Sequence, residues 1–266
     1  MTSPVDPPIL TDKYPRDQSV FRPENLLREG RRQRGLTQGK VPDVCLLDPD
    51  GDIVRWLRAS GRAQRCGVWA CYHTDLFTFT HEGREIGVIG NAVGASFAVL
   101  LAEQLFASGC QLLISITSAG QIAETIPSPC FVLIDKALRD EGTSYHYLAP
   151  SDFAPAPAPV LARLKGAFDA LPFSVVKGAA WTTDAPYRET EKAIAANRDR
   201  GILAVEMEAA ALYAFAAARG KSVVCFAHIT NQMAQSGDDF EKGEADGALT
   251  SLAVVRAVSD ALATQE

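Results

Sequence analysis

The stretch VIGNAVGASFAVLLAEQLFASGCQLLISIT, Val88 to Thr117, decides the fold. Its first residues finish the apolar run EIGVIG (85–90), which reads as a buried strand. The small and polar loop GNAVGAS (90–96) follows, and ASFAVLLAEQLFASG then reads as a helix that stops at Gly109. QLLISIT (111–117) is apolar again and gives a second strand. Strand, loop, helix and strand in immediate succession make a crossover between parallel strands, with the helix on one face of the sheet.

The same alternation extends outward. VCLL (44–47), CFVLI (130–134), SVVKGAA (174–180) and SVVCFAHI (222–229) read as further buried strands. The helix EMEAAALYAFAAARG ends at Gly220 and feeds the last of them directly. This predicts an α/β fold: a single domain with a mixed, mostly parallel central sheet flanked by helices. APSDFAPAPAPV (149–160) is rich in proline and alanine and is expected to be an extended surface connection. Residues 1–23 are polar with five prolines, an extended arm, and Pro23 opens a short helix, PENLLREGRRQRG. The basic face of that helix, Arg28, Arg31, Arg32 and Arg34, reads as solvated. The division is therefore an N-terminal arm and short helix over 1–40 and a single α/β domain over 41–266.

Composition narrows the function. Of 266 residues, 47% are hydrophobic and 22% charged, the balance of a globular protein. A net charge of −6 argues against nucleic acid as a partner, because phosphate backbones are held by basic surfaces. The six cysteines have no CxxC spacing and sit in apolar runs, so they read as reduced, buried thiols rather than metal ligands. No basic stretch leads into an apolar one at the start of the chain, and no apolar run reaches the ~18 residues a membrane helix requires. A cytoplasmic setting without a membrane partner is expected.

In an open α/β sheet, ligands gather beyond the carboxyl ends of the strands. Four strand ends here are small or polar: GNAVGAS (90–96), ITSAG (116–120), WTTDAPYRET (181–190) and ITNQM (229–233). In VEMEAAALYA, Glu206 and Glu208 flank Met207 where a strand meets a helix, amid apolar residues. Such carboxylates either meet a ligand or complement the helix dipole; spacing alone leaves both open.

GILAVEMEAAALYAFAAARGKSVVCFAHITN (201–231) resembles the most recognisable stretch of a superfamily. Its members are bacterial purine nucleoside phosphorylases, uridine phosphorylases and methylthioadenosine nucleosidases. RDEGTSYHY (139–147) is similar to a uridine phosphorylase segment, and ITSAGQI (116–122) to a loop of the nucleosidases. The resemblance covers about Val41 to Leu262. It implies that Met207 and Glu208 contact ribose, with Glu206 as a neighbouring acid. It implies further that Ser118, Ala119 and Gly120 line the base and sugar, and that Trp181 stacks on the base. Asn231 stands where the purine enzymes carry a proton-donating aspartate. The implied chemistry is loss of the base from C1′ through a positively charged ribosyl transition state, stabilised by carboxylates and dipoles.

The departures concern phosphate. Ile53, Ser115 and Tyr72 or His73 stand where family phosphorylases have arginines. Arg55, Arg139, Arg188 and the backbone of Gly94 to Ser96 are the substitutes at hand. The nucleosidases use a glutamate to activate water; Ile53 matches that glutamate too, which leaves the nearby Asp50 and Asp52 as the base for water, with Asp52 taken as the catalytic residue. Thr190 and Lys192 replace the residues with which uridine phosphorylases read uracil. The resemblance thus implies an enzyme that cleaves the N-glycosidic bond of a nucleoside, a 6-oxopurine nucleoside or uridine ahead of adenosine. Water is favoured over phosphate as nucleophile. No cofactor or metal is expected, and phosphate is the one co-substrate left open. A homodimer or a hexamer of dimers is expected. The competing class is a non-catalytic nucleoside-binding or storage relative.

Overall fold

The computed structural model describes residues 6–126, 130–231 and 242–263. Residues 6–22 run without helix or strand to α1 (Pro23–Arg34). Then come β1 (Val44–Asp48), α2 (Asp52–Ala59), β2 (Gln64–Arg65), β3 (Phe77–His81), β4 (Arg84–Gly90) and α3 (Ala95–Ala107). β5 (Leu112–Gln121), β6 (Cys130–Asp140), β7 (Phe153–Pro155), α4 (Ala158–Arg163) and β8 (Val175–Thr183) form the middle of the chain. α5 (Glu191–Asp199), β9 (Ile202–Glu206), α6 (Ala209–Arg219), β10 (Ser222–Asn231) and α7 (Ala248–Ala263) complete it.

All ten strands share one sheet, ordered β10-β6-β8-β9-β5-β1-β4-β3-β2, with β7 beside β6. β10 also pairs with β5, so β5, β10, β6, β8 and β9 close into a ring from which β1 to β4 extend. The predicted crossover is present: β4 and β5 both lie parallel to β1, with α3 between them in the chain. Among the described residues, β1–β4, β1–β5, β5–β10, β6–β8 and β8–β9 are parallel and the other five ladders antiparallel, so the sheet is mixed.

Strand alternation divides the core in two. Cys45, Leu47 and Leu113 face the layer that holds α3 and α6. Leu46, Leu112 and Ile114 face the opposite layer, which takes Ile53 and Leu57 of α2 and Val254 and Val255 of α7. α6 is apolar all round because it is buried all round, from Ala209 to Ala216. Its one polar side chain in that span is satisfied: the Tyr213 hydroxyl donates to Ile134 O at 2.6 Å and accepts from Cys225 N–H at 3.0 Å.

Two expectations are corrected. The stretch 149–160 is not a surface connection throughout, since β7 pairs with β6, Ala154 is fully buried and α4 begins at Ala158. Alanine packs without bulk, and proline is tolerated on an edge strand. The basic face of α1 is also only half solvated. Arg34 donates to Cys71 O at 2.6 Å and Arg31 to Val68 O at 3.4 Å, whereas Arg28 and Arg32 pair with exposed Glu29. Among the described residues, no helix is long and apolar enough to cross a membrane.

Candidate active site

β5 and β10 continue past their apolar runs, and this extension builds the site. Ser118, Ala119 and Gly120 belong to β5 and pair with His228, Ile229 and Asn231 of β10; Gly120 also pairs with Val205 of β9. Beyond these strand ends lies a cavity of about 370 Å³, walled by Ser118, Ala119, Gly120, Glu206, Met207, Glu208 and Asn231. Asp50, Val93, Tyr187 and Glu189 complete its rim and walls. The size suits a small molecule. Gln232 and Met233 of the fourth strand end lie outside the described residues.

The two glutamates divide the roles that the sequence left open. Glu206 ends β9 and accepts hydrogen bonds from the Thr182 hydroxyl and, at 2.7 Å each, from the N–H groups of Glu208 and Ala209. It therefore anchors the start of α6 and meets the dipole there. Glu208, the residue just before α6, is only 1% exposed. Its Oε1 accepts the Gly94 N–H at 2.7 Å, and its Oε2 has no partner among the described residues. Gly94 presents that N–H from φ 96°, a conformation open to glycine. Burial, reinforced by the charge of Glu206, pushes the Glu208 carboxyl up to about 8; burial likewise lifts Glu206 to about 7. A ligand that offers hydroxyl donors would supply what Oε2 lacks.

The turn after β1 is acidic. Asp48 accepts the Val54 N–H at 2.9 Å, and burial raises its carboxyl to about 7. Asp50 reaches the cavity and grips Ser118 twice, through the N–H at 2.7 Å and the hydroxyl at 2.8 Å. Asp52 does not line the cavity: it opens α2 and holds Arg55 and Lys242, each at 2.6 Å. The expected catalytic position of Asp52 is thereby corrected, because Gly51 at φ 78° turns the chain between the two acids. Next to this turn, His228 stacks on Phe131 with centroids 4.2 Å apart; burial and Lys242 push its imidazole down to about 4.

Trp181 is also corrected. It packs in the core with Leu138, Ile194 and Val205, donates from Nε1 to Asp140 at 2.9 Å and does not line the cavity. Alternation along β8 turns its ring to the face that packs against Ile194 of α5. Among the described residues, the aromatic at the cavity is Tyr187, 99% exposed, which the sequence offered only as part of WTTDAPYRET.

Of the substitutes for the missing arginines, Arg55, Arg139 and the Gly94 N–H are committed elsewhere. Arg55 is paired with Asp52 and Asp246. Arg139 is buried and donates to Ser144 Oγ and to the carbonyls of Leu148 and Ala149. Arg188 is exposed and off the cavity, and the Gly94 N–H is taken by Glu208. Ile53 and Ser115 are buried at 2% and 1% exposure.

A closed ring of strands with side chains converging on one cavity is a known architecture. The uridine phosphorylase of Vibrio fischeri, in complex with 6-hydroxy-1-naphthoic acid, superposes with a TM-score of 0.72. The match covers 88% of this chain and 99% of that one at 20% identity, which establishes the fold. Residues 44–261 match the phosphorylase superfamily. A DeoD-type purine nucleoside phosphorylase of Bacillus cereus is 31% identical over 192 residues, 69% of this chain and 79% of that protein. A Bacillus thuringiensis enzyme of the same description matches equally. The chain belongs to the phosphorylase superfamily, whose members are enzymes.

Proposed function

We infer that this protein cleaves the N-glycosidic bond of a nucleoside, a 6-oxopurine nucleoside or uridine ahead of adenosine, with water as the nucleophile. The carrying observation is the buried Glu208 carboxylate, whose Oε2 lacks a donor among the described residues, on the wall of a nucleoside-sized cavity. Glu208 receives the ribose hydroxyls beside Met207, and Ser118, Ala119 and Gly120 line the sugar and base. Glu206 holds the strand-to-helix turn in place. Asp50 takes a proton from water as the hydroxyl oxygen adds to C1′. The C1′–N bond breaks, and its electron pair leaves with the base. Asn231 hydrogen-bonds the departing base without transferring a proton. Tyr187 supplies the aromatic face that the sequence assigned to Trp181.

Water is favoured over phosphate because the turn after β1 presents Asp48, Asp50 and Asp52, while the nearby cations are already paired with acids, Arg55 with Asp52 and Asp246, and Lys242 with Asp52 at 2.6 Å and Asp50 at 3.8 Å. A phosphate dianion beside Asp50 would meet like charge. Assembly as a homodimer or hexamer of dimers is part of the same reading, supported by the exposure of Val93 and Tyr187 at the cavity. Release of free base from a nucleoside panel, followed by chromatography with and without phosphate, tests the function. Base release without phosphate is expected. Tight nucleoside binding with no cleavage of any member would instead assign the chain to the binding or storage class.

A further inference from the structure

Resting on that reading, we propose that Lys242 is a positioning residue for the base Asp50. Its ammonium holds the Asp50 carboxylate against Ser118, inside a turn of like charges.

Asp50 stands between two cavities. One is the nucleoside-sized cavity; the other is small and walled by Asp48, Asp52, His228, Lys242 and Asp246. Three further carboxylates thus share the small cavity with Asp50. Beyond burial, the charge of Asp50 contributes to the raised carboxyls of Asp48, at about 7, and Glu208, at about 8. His228, pushed down to about 4 by burial and by Lys242, is neutral at pH 7. Among the described residues, Lys242 is therefore the one cation lining this space. Its Nζ lies 2.6 Å from Asp52 Oδ2 and 3.8 Å from Asp50 Oδ1. Ser118 donates its N–H to Asp50 Oδ2 and its hydroxyl to Oδ1, at 2.7 and 2.8 Å. Those two neutral donors fix the plane of the carboxylate but leave its charge facing Asp48 and Asp52. The ammonium offsets that repulsion. Each carboxylate oxygen accepts up to two hydrogen bonds, so Asp50 keeps room for water.

The backbone is bent to deliver this cation. Lys242 is 190 residues from Asp52 along the chain. Behind it φ is 84° at Gly243, 54° at Ala245 and Asp246, and 77° at Gly247. Left-handed backbone is unfavourable for alanine, and two ion pairs tie the bend to the turn after β1: Lys242 with Asp52, and Asp246 with Arg55. A Cβ at Gly247 would meet His228 Cε1 at 2.7 Å and Lys242 O at 2.8 Å, so only glycine lets the segment pass this close.

The test compares Lys242→Gln, Lys242→Arg and Asp52→Asn, with kcat and KM for inosine read by base release. Lys242→Gln and Asp52→Asn both break the Lys242–Asp52 ion pair, but only the first removes the cation from Asp50. Lys242→Gln should lower kcat about tenfold with KM within about twofold, a part of the ~10²-fold that a general base supplies. Lys242→Arg should recover most of the loss, and Asp52→Asn should stay within about threefold. Equal losses in Lys242→Gln and Asp52→Asn would mark a merely structural pair and overturn the proposal. Lys242→Met takes the place of Lys242→Gln, with the same outcomes, should the amide unfold the chain. The Ser118 amide proton, bonded to Asp50, gives a readout independent of turnover. Its downfield NMR resonance should persist in Lys242→Arg and Asp52→Asn and move upfield in Lys242→Gln. An unmoved resonance in Lys242→Gln overturns the positioning role whether or not any nucleoside is cleaved. A moved resonance in a protein whose wild type cleaves no nucleoside upholds the hold of Lys242 on Asp50 and removes the enzyme reading instead.

Discussion

Replacing Glu208 by glutamine should disable the site while leaving the fold intact. The amide keeps the volume and retains an acceptor for the Gly94 N–H, now 2.7 Å from Oε1. It removes a charge whose ionisation burial opposes, since the carboxyl titrates at about 8 rather than 4.5. An acid raised in this way costs stability increasingly from its unfolded value of 4.5 up to about 8, so the neutral amide relieves most of that cost by pH 7 and all of it above pH 8. The melting temperature of the variant should therefore be no lower than that of wild type at pH 7. Activity should behave differently. A hydrogen bond to a charged group contributes about 1.5–3 kcal/mol, so two ribose hydroxyls on the carboxylate represent roughly 3–6 kcal/mol. Each ~1.4 kcal/mol is a factor of ten in rate, which bounds the loss at about 10²–10⁴-fold. Glutamine still accepts one bond, so a fall in kcat/KM near 10²-fold is expected, read by base release at matched protein folding. A folded Glu208→Gln protein with kcat/KM within threefold of wild type would refute the role.

The other predictions use the same neighbourhood. Asp50→Asn should lower kcat by about 10²-fold with KM little changed, the loss typical of removing a general base. Asp52→Asn should leave kcat within about threefold and instead lower stability by about 1 kcal/mol through its lost ion pairs, seen by chemical denaturation; the reverse pattern would return the base to Asp52. Asn231→Asp should raise adenosine cleavage relative to inosine, because an acid can protonate N7; an unchanged ratio counts against Asn231 meeting the base. The ligand-free protein should lose melting temperature as pH rises from 6.5 to 8. Asp48, Glu189, Glu206 and Glu208, raised to about 7 to 8, hold protons in the folded state that the unfolded chain has released. His228, lowered to about 4, acts oppositely but only below about 6.5. A melting temperature that rises across this window contradicts the burial of these acids.

The parallel crossovers were legible because period and punctuation agree there: apolar runs, a helix of core length and a closing glycine at Gly109 or Gly220. β3 was not, since FTFTH alternates threonine with phenylalanine over only five residues. β7 hid in a proline-rich segment, where only pairing with β6 makes a strand. At the site, VEMEA carried its meaning in sequence, but dividing it required the Thr182 and Gly94 partners, which lie far away along the chain. Asp50 and Asp52 are indistinguishable by spacing; one turn at Gly51 sends the first to Ser118 and the second to Arg55 of α2. Trp181 was misplaced because the likeness fixes a position along β8, while the pleat decides which side of the sheet receives the ring.

The claim that water attacks C1′ in this cavity is tested most directly by following that carbon. Inosine or guanosine labelled with 13C at C1′ is incubated with the protein in phosphate buffer, and the product is read by NMR. The account predicts the two anomers of free ribose, appearing at the same rate when phosphate is omitted. Ribose 1-phosphate as the product, formed only when phosphate is present, would contradict it.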